Sequence, residues 1–145
     1  RISALGVEPL GPDFTPVRLL QLTLRSAKPI KIFLMDQRRI AGVGNIQAAE
    51  ALFLARIHPG REARLLDKKE VARLVRSIRR TLEREIERSR SENPAYLHEG
   101  SENDFRVYGR SGEPCFRCRG IVARFVQGGR SSYYCPRCQP KKAKS

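Results

Sequence analysis

The chain has 145 residues, enough for one domain or two small ones, and its 40% hydrophobic content excludes wholesale disorder. Its 29 Lys and Arg against 15 Asp and Glu give a formal charge of +14, the balance of a protein that meets a polyanion. No apolar run is long enough to span a membrane and residues 1–4 show no signal-peptide core, so ribosomal RNA, DNA and an anionic surface remain open as partners.

Residues 1–14 contain Gly6, Pro9, Gly11 and Pro12 and read as a linker. There is no initiator Met, and the only Met is Met35, so the chain is expected to be a processed or excised piece of something longer. Thr15-Pro16 reads as an N-cap followed by proline at the first helical position. The helix it opens is expected to run to about Ala27, with Val17, Leu20 and Leu24 on its apolar face, and Pro29 ends it. Ile30 to Leu34 is apolar but too short for periodicity to assign.

Gly42 and Gly44 make a turn into a helix from about Asn45 to Ala55. Glycines let backbone approach a ligand closely, and a helix start offers unpaired N–H groups and the positive end of the dipole. Asn45 adds a side-chain donor or an N-cap oxygen. The pattern suits a phosphate, and it suits an ordinary capped helix equally well. His58-Pro59-Gly60 breaks the chain. Asp67 and Glu70 then form a capping box ahead of Val71, Leu74, Val75, Ile78, Leu82 and Ile86, the stripe of a long helix closed by Asn93-Pro94. Its Arg/Glu face reads as solvated and salt-bridged.

Four cysteines follow as two Cys-x-x-Cys pairs, Cys115/Cys118 and Cys135/Cys138. Such pairs in a basic chain without a secretory signal fit one structural zinc held by four thiolates. Two disulfides, or a redox dithiol, are the alternatives. Between the pairs, Ile121–Val126 and Ser131–Tyr134 flank Gln127-Gly128-Gly129-Arg130 as a β-hairpin. Residues 105–145 carry ten positive side chains and one negative, net +9. Arg130 at the end of the hairpin loop, with Arg106, Arg110, Arg124, Arg137 and Tyr108 around it, is the candidate phosphate-binding group. Solubilising charge on a metal-pinned ribbon is the plainer account.

Several motifs stand in a specific order. They are Leu34-Met35-Asp36-Gln37, Gly42-Val43-Gly44-Asn45-Ile46, Ile57-His58-Pro59, Val107-Tyr108-Gly109-Arg110, Gly112-Glu113-Pro114-Cys115 and Tyr134-Cys135-Pro136-Arg137-Cys138. From about Leu5 to Gln139 the chain resembles the C-terminal half of the formamidopyrimidine-DNA glycosylase/endonuclease VIII family. The resemblance implies a mainly α fold with a small β-hairpin: a helix–two-turn–helix DNA-binding domain followed by a four-cysteine zinc finger. It divides the chain into an interdomain linker remnant (1–14), the helical domain (15–104), the zinc module (105–139) and a basic tail (140–145).

The function implied is base-excision repair in the bacterial cytoplasm, namely removal of oxidised bases and lyase cleavage at the abasic site. The partners implied are damaged or abasic duplex DNA and the parent's own N-terminal catalytic domain, in a monomer. The residues matching family DNA contacts are Asn45 with Gly44 beside it, Lys31, Tyr108, Arg110 and Arg130. Arg130 also supports strand cleavage, and Cys115, Cys118, Cys135 and Cys138 hold the zinc. The family's nucleophile, an N-terminal proline, belongs to a domain not found in this sequence. The stretch between Leu97 and Val107 looks shorter than the lesion-covering loop of formamidopyrimidine enzymes, as in endonuclease VIII-like members. Gln47 stands where the family often has tyrosine. A free-standing zinc-ribbon nucleic-acid binder is the alternative function. A helix–hairpin–helix module would explain Gly42-Val43-Gly44 but not the cysteines.

Overall fold

The computed structural model describes residues 6–91 and 105–141. Among them, α1 (Pro16–Thr23), α2 (Ile30–Leu34), α3 (Asn45–Ala55) and α4 (Lys68–Ser91) precede a hairpin of β1 (Ala123–Gln127) and β2 (Arg130–Tyr134). The chain is therefore mainly helical with one small antiparallel sheet.

Thr15 caps α1 by accepting the Arg18 N–H at 3.1 Å, with Pro16 in the first turn as expected. The helix ends at Thr23, short of Ala27, because Ser26 turns the chain. Its N–H bonds the Thr23 carbonyl and its hydroxyl takes the Lys28 N–H. The expected apolar face is corrected as well. Leu19 and Thr23 are the buried positions, whereas Val17 is 67% and Leu24 57% exposed. Leucines at 19, 20, 22 and 24 offer several stripes, and packing against α4 selects the one through Leu19.

In α4 the capping box is present in both directions: Glu70 N–H to Asp67 Oδ1 at 2.8 Å and Asp67 N–H to Glu70 Oε1 at 2.9 Å. Arg61 closes on the same carboxylate at 2.8 Å. Val71, Leu74, Val75 and Ile78 enter the core, while Ile86 lies beyond it and is exposed.

The stretch 6–14 is bound to this frame. Val7 bridges Ile40, Phe14 is fully buried, and the Arg79 guanidinium donates to the carbonyls of Pro9, Gly11 and Phe14. Phe14, Leu19, Phe33, Leu52, Leu74 and their neighbours form the main core. Each large side chain buried there contributes about 1.5–3 kcal/mol. A second cluster gathers Ala49 and Phe53 of α3 with Val107, Val122 and three of the cysteines. Helix α3 is thus shared between the helical core and the cysteine module.

The hairpin runs one pair further at its tip than expected, and β1 begins at Ala123 and not at Ile121, which bridges Pro114 instead. Gln127 faces Arg130, leaving the two-residue turn Gly128-Gly129 with φ of +59° and +80°. Positive φ at both positions favours glycine in such a turn. A Cβ on Gly128 would also stand 2.7 Å from Ile32 Cδ1, so the tip closes directly onto α2.

Candidate nucleic-acid interface and metal centre

The cysteine sulfurs all lie within 4.8 Å of one another, with Cys118–Cys135 at 3.4 Å and Cys115–Cys138 at 3.8 Å. A tetrahedron of Zn–S bonds of about 2.3 Å has edges of about 3.8 Å, so the set fits one zinc. All four are free thiols, which removes the disulfide alternative. Backbone N–H groups point at the sulfurs: Arg117 to Cys115 and Gly120 to Cys118, each at 3.3 Å. Burial raises the Cys115 thiol, yet N–H donors from Cys118 and Arg117 bring it down to about 7. Burial and the neighbouring sulfurs push Cys138 up to about 12. Four thiolates this close need a cation to ionise together, which is the chemistry a bound zinc supplies.

The module is docked at several points. Gln139, fully buried, accepts the Cys135 N–H at 2.8 Å and donates to the Ile57 carbonyl at 2.9 Å. Glu50, buried in α3, accepts the N–H groups of Arg106, Val107 and Tyr108 at 2.7, 2.9 and 2.9 Å. Neither residue was singled out from the sequence. The available signal for Glu50 is a lone charge within the otherwise uncharged helix NIQAAEALFLA.

Three of the expected contact residues meet at the head of β2. Lys31 Nζ donates to the Ser131 carbonyl at 3.0 Å and to Ser132 Oγ at 2.7 Å, and Asn45 Nδ2 donates to that carbonyl at 3.2 Å. Arg130, one residue away, is exposed. Burial first, and the Arg130 charge second, lower Lys31 from 10.5 to about 8. Lys31 is 1% exposed, so it works as a strut between α2 and the hairpin and presents no ammonium to the surface. Asn45 is the first residue of α3 and Gly44 its N-cap, so Asn45 supplies a donor and not the cap oxygen. Gln37 fixes the turn before it, accepting the Gly42 N–H at 2.6 Å and donating to the Val43 carbonyl at 3.1 Å. Gln47 Oε1 takes the Gly44 N–H at 3.1 Å.

Tyr108 is half-buried and packs edge-on against Tyr133 and Phe105. Arg110 departs from expectation. It is 6% exposed, and its guanidinium is occupied by Glu113 Oε1, the Arg106 carbonyl and the Pro114 carbonyl while lying over Phe116. It holds the loop ahead of Cys115 together and has no face turned outward. The stretch between Leu97 and Val107, expected to be short, lies outside the described residues up to residue 104. No helix of the described residues is long and apolar enough to cross a membrane.

Residues 5–94 match the family model described as the formamidopyrimidine-DNA glycosylase H2TH domain, and residues 112–141 match the zinc finger found in FPG and IleRS. The formamidopyrimidine-DNA glycosylase of Novosphingobium aromaticivorans is 44% identical over 142 residues, covering 94% of this chain and 52% of its own length. That of Thioalkalivibrio sulfidiphilus is 45% identical over 143 residues, covering 95% and 53%. Among solved structures, Lactococcus lactis Fpg in complex with abasic-site DNA superposes with a TM-score of 0.85 at 35% identity, covering 97% of this chain and 53% of that one. The MutM (FPG) protein of Thermus thermophilus gives 0.84 at 41% identity, covering 97% and 55%. The chain spans about half the length of the relatives it matches.

Proposed function

The chain belongs to the formamidopyrimidine-DNA glycosylase family, and from that premise we propose that it is the DNA-holding part of a base-excision-repair glycosylase with abasic-site lyase activity. The observation that carries this reading is the convergence at Ser131. Asn45 and Arg130 are 85 positions apart in sequence, yet one carbonyl oxygen sets the start of α3 beside the hairpin tip. The first-turn N–H groups of α3 have no intrahelical acceptor, and the dipole there favours an anion. The Asn45 amide nitrogen keeps one N–H beyond the one given to Ser131. With the exposed Arg130 guanidinium, this edge offers donors for neighbouring phosphates of one strand.

Such contacts position DNA and do not read its sequence. Chemistry at the base and the abasic sugar is assigned to an N-terminal catalytic domain of the parent carrying the family's proline nucleophile. Arg130 supports strand cleavage by holding the phosphate, and the parent acts as a monomer on cytoplasmic DNA with oxidised bases. In this reading Lys31 and Arg110 belong to the framework that supports the grip, and Tyr108 stands at its margin. The match over residues 5–94 favours this reading over a free-standing zinc ribbon.

Fluorescence anisotropy with an abasic-site duplex, measured across salt concentration, tests the reading. Asn45→Ala and Arg130→Ala should each weaken binding by about 1–3 kcal/mol, and Arg130→Ala should reduce the log–log salt slope by about 0.9. Variants that bind like the wild type would sink it. The chain alone, incubated with the duplex and borohydride, should yield no covalent adduct.

A further inference from the structure

The other end of α3 is basic too. A groove of about 530 Å³ lies between Leu54, in the last turn of α3, and α4. Arg73, Arg76, Arg79, Arg80 and Arg106 line it against one carboxylate, Glu83. Two of these guanidinia are already in use. Arg73 Nε donates to the Ala55 carbonyl at 3.0 Å, and Arg79 holds the 9–14 stretch. Among the described residues, the guanidinia of Arg76, Arg80 and Arg106 have no ion pair or hydrogen bond.

Arg106 is fixed by its backbone N–H on Glu50. Its guanidinium is held below its ordinary range by burial first, then by the charge of Arg84, with Arg80 and Arg117 adding to the effect and Glu50 opposing it. Arg117 lies 4.0 Å over the Phe53 ring and gives Nη2 to the Phe53 carbonyl at 3.0 Å. Its Nη1 is buried with no acceptor. A buried N–H without a partner is costly, and so is a group of like charges kept together. An anion in the groove relieves the second cost. The C-terminal end of a helix would normally repel one. Here Arg73 and Arg117 cover the carbonyls of Ala55 and Phe53 that would do so.

We infer that Arg76, Arg80 and Arg106 form a phosphate site in this groove, separate from the edge that carries Asn45 and Arg130. Guanidinium forks match the several oxygens of a phosphate, and three of them suit its charge better than that of a single carboxylate. An 11-residue helix is about 16 Å long, so this phosphate is not one of those gripped at the N-terminal end. It is either a phosphate farther along the same DNA or one carried by another molecule.

Inorganic phosphate, titrated into the zinc-loaded chain against chloride at equal ionic strength, tests the site through Tm and the ³¹P line width. Phosphate should raise Tm and broaden its own resonance, and the double substitution Arg80→Gln with Arg106→Gln should abolish both effects. Neither side chain bonds to the fold, so the double variant should stay folded. Stabilisation equal in chloride, or undiminished in the double variant, would overturn the inference. Duplex binding then identifies the source. If DNA supplies the phosphate, the double variant's salt slope falls by about 0.9. An unchanged slope beside a lost phosphate response assigns it to another carrier. Asn45→Ala should leave the phosphate titration intact, so this site and the DNA grip fail separately.

Discussion

Lys31 and Asn45, from different turns of the helical domain, donate to the same oxygen, the Ser131 carbonyl, at 3.0 and 3.2 Å. Two donors on one acceptor pin the strand immediately after Arg130. The position of an exposed guanidinium is thereby set by buried chemistry, and this makes the proposed grip a property of the interface between modules.

That arrangement predicts a pH signature. Lys31 titrates at about 8 in the fold against an ordinary 10.5. Below 8 the folded and unfolded chains both carry the proton. Between 8 and 10.5 the unfolded chain binds a proton that the folded one lacks, so stability is gained as pH rises and is lost as pH falls back through 8. Denaturant unfolding of wild type and Lys31→Met should show wild type gaining on the variant across that window. A constant difference would argue against the buried strut.

Zinc removal should be local. The main core contains no cysteine. Cys118→Ser, or a strong chelator, should therefore abolish the roughly one zinc per chain and the hairpin's chemical-shift dispersion, while most far-UV helical signal persists. Acidification should release the metal as the thiols protonate. Cooperative loss of all helix with the metal would contradict the two-cluster description.

Glu50→Gln tests the carboxylate that caps residues 106–108. One oxygen would become an N–H₂ facing backbone N–H groups, and charge-assisted bonds would be lost. The expected cost is about 1.5–3 kcal/mol in urea unfolding. A near-neutral variant would show that those three N–H groups find other acceptors.

The register of α1 is checked by a pair of truncations. Leu19→Ala should cost about 2–5 kcal/mol, and Val17→Ala should stay within about 0.5 kcal/mol. The reverse order would restore the face through Val17.

How much could be read in advance follows from what kind of physics decides each feature. Local chemistry was legible: Thr15-Pro16 opens α1, Asp67 and Glu70 box α4, and two Cys-x-x-Cys pairs close on one centre. The order of helices and hairpin also emerged, through cysteine spacing, glycine turns and the family resemblance. Choices made by tertiary contact were not legible. Nothing local separates Leu19 from Val17, because α4 selects the stripe. Nothing in a basic module tells that Arg110 bonds inward while Arg130 stays exposed. Lys31, offered by the resemblance as a DNA contact, is buried, and a buried ammonium is rare; the acceptors of Ser131 and Ser132 make its burial possible.

Helix α3 belongs to two interiors at once: Ala48, Ala51 and Leu52 face one, Ala49 and Phe53 the other. The metal therefore reports on a helix that supplies none of its ligands. Zinc occupancy should slow amide hydrogen exchange through α3, because opening that helix exposes the cluster next to the cysteines, while exchange in α1, which touches only the first interior, stays as it was. A spectroscopist following Ala49 would in effect be titrating the ion.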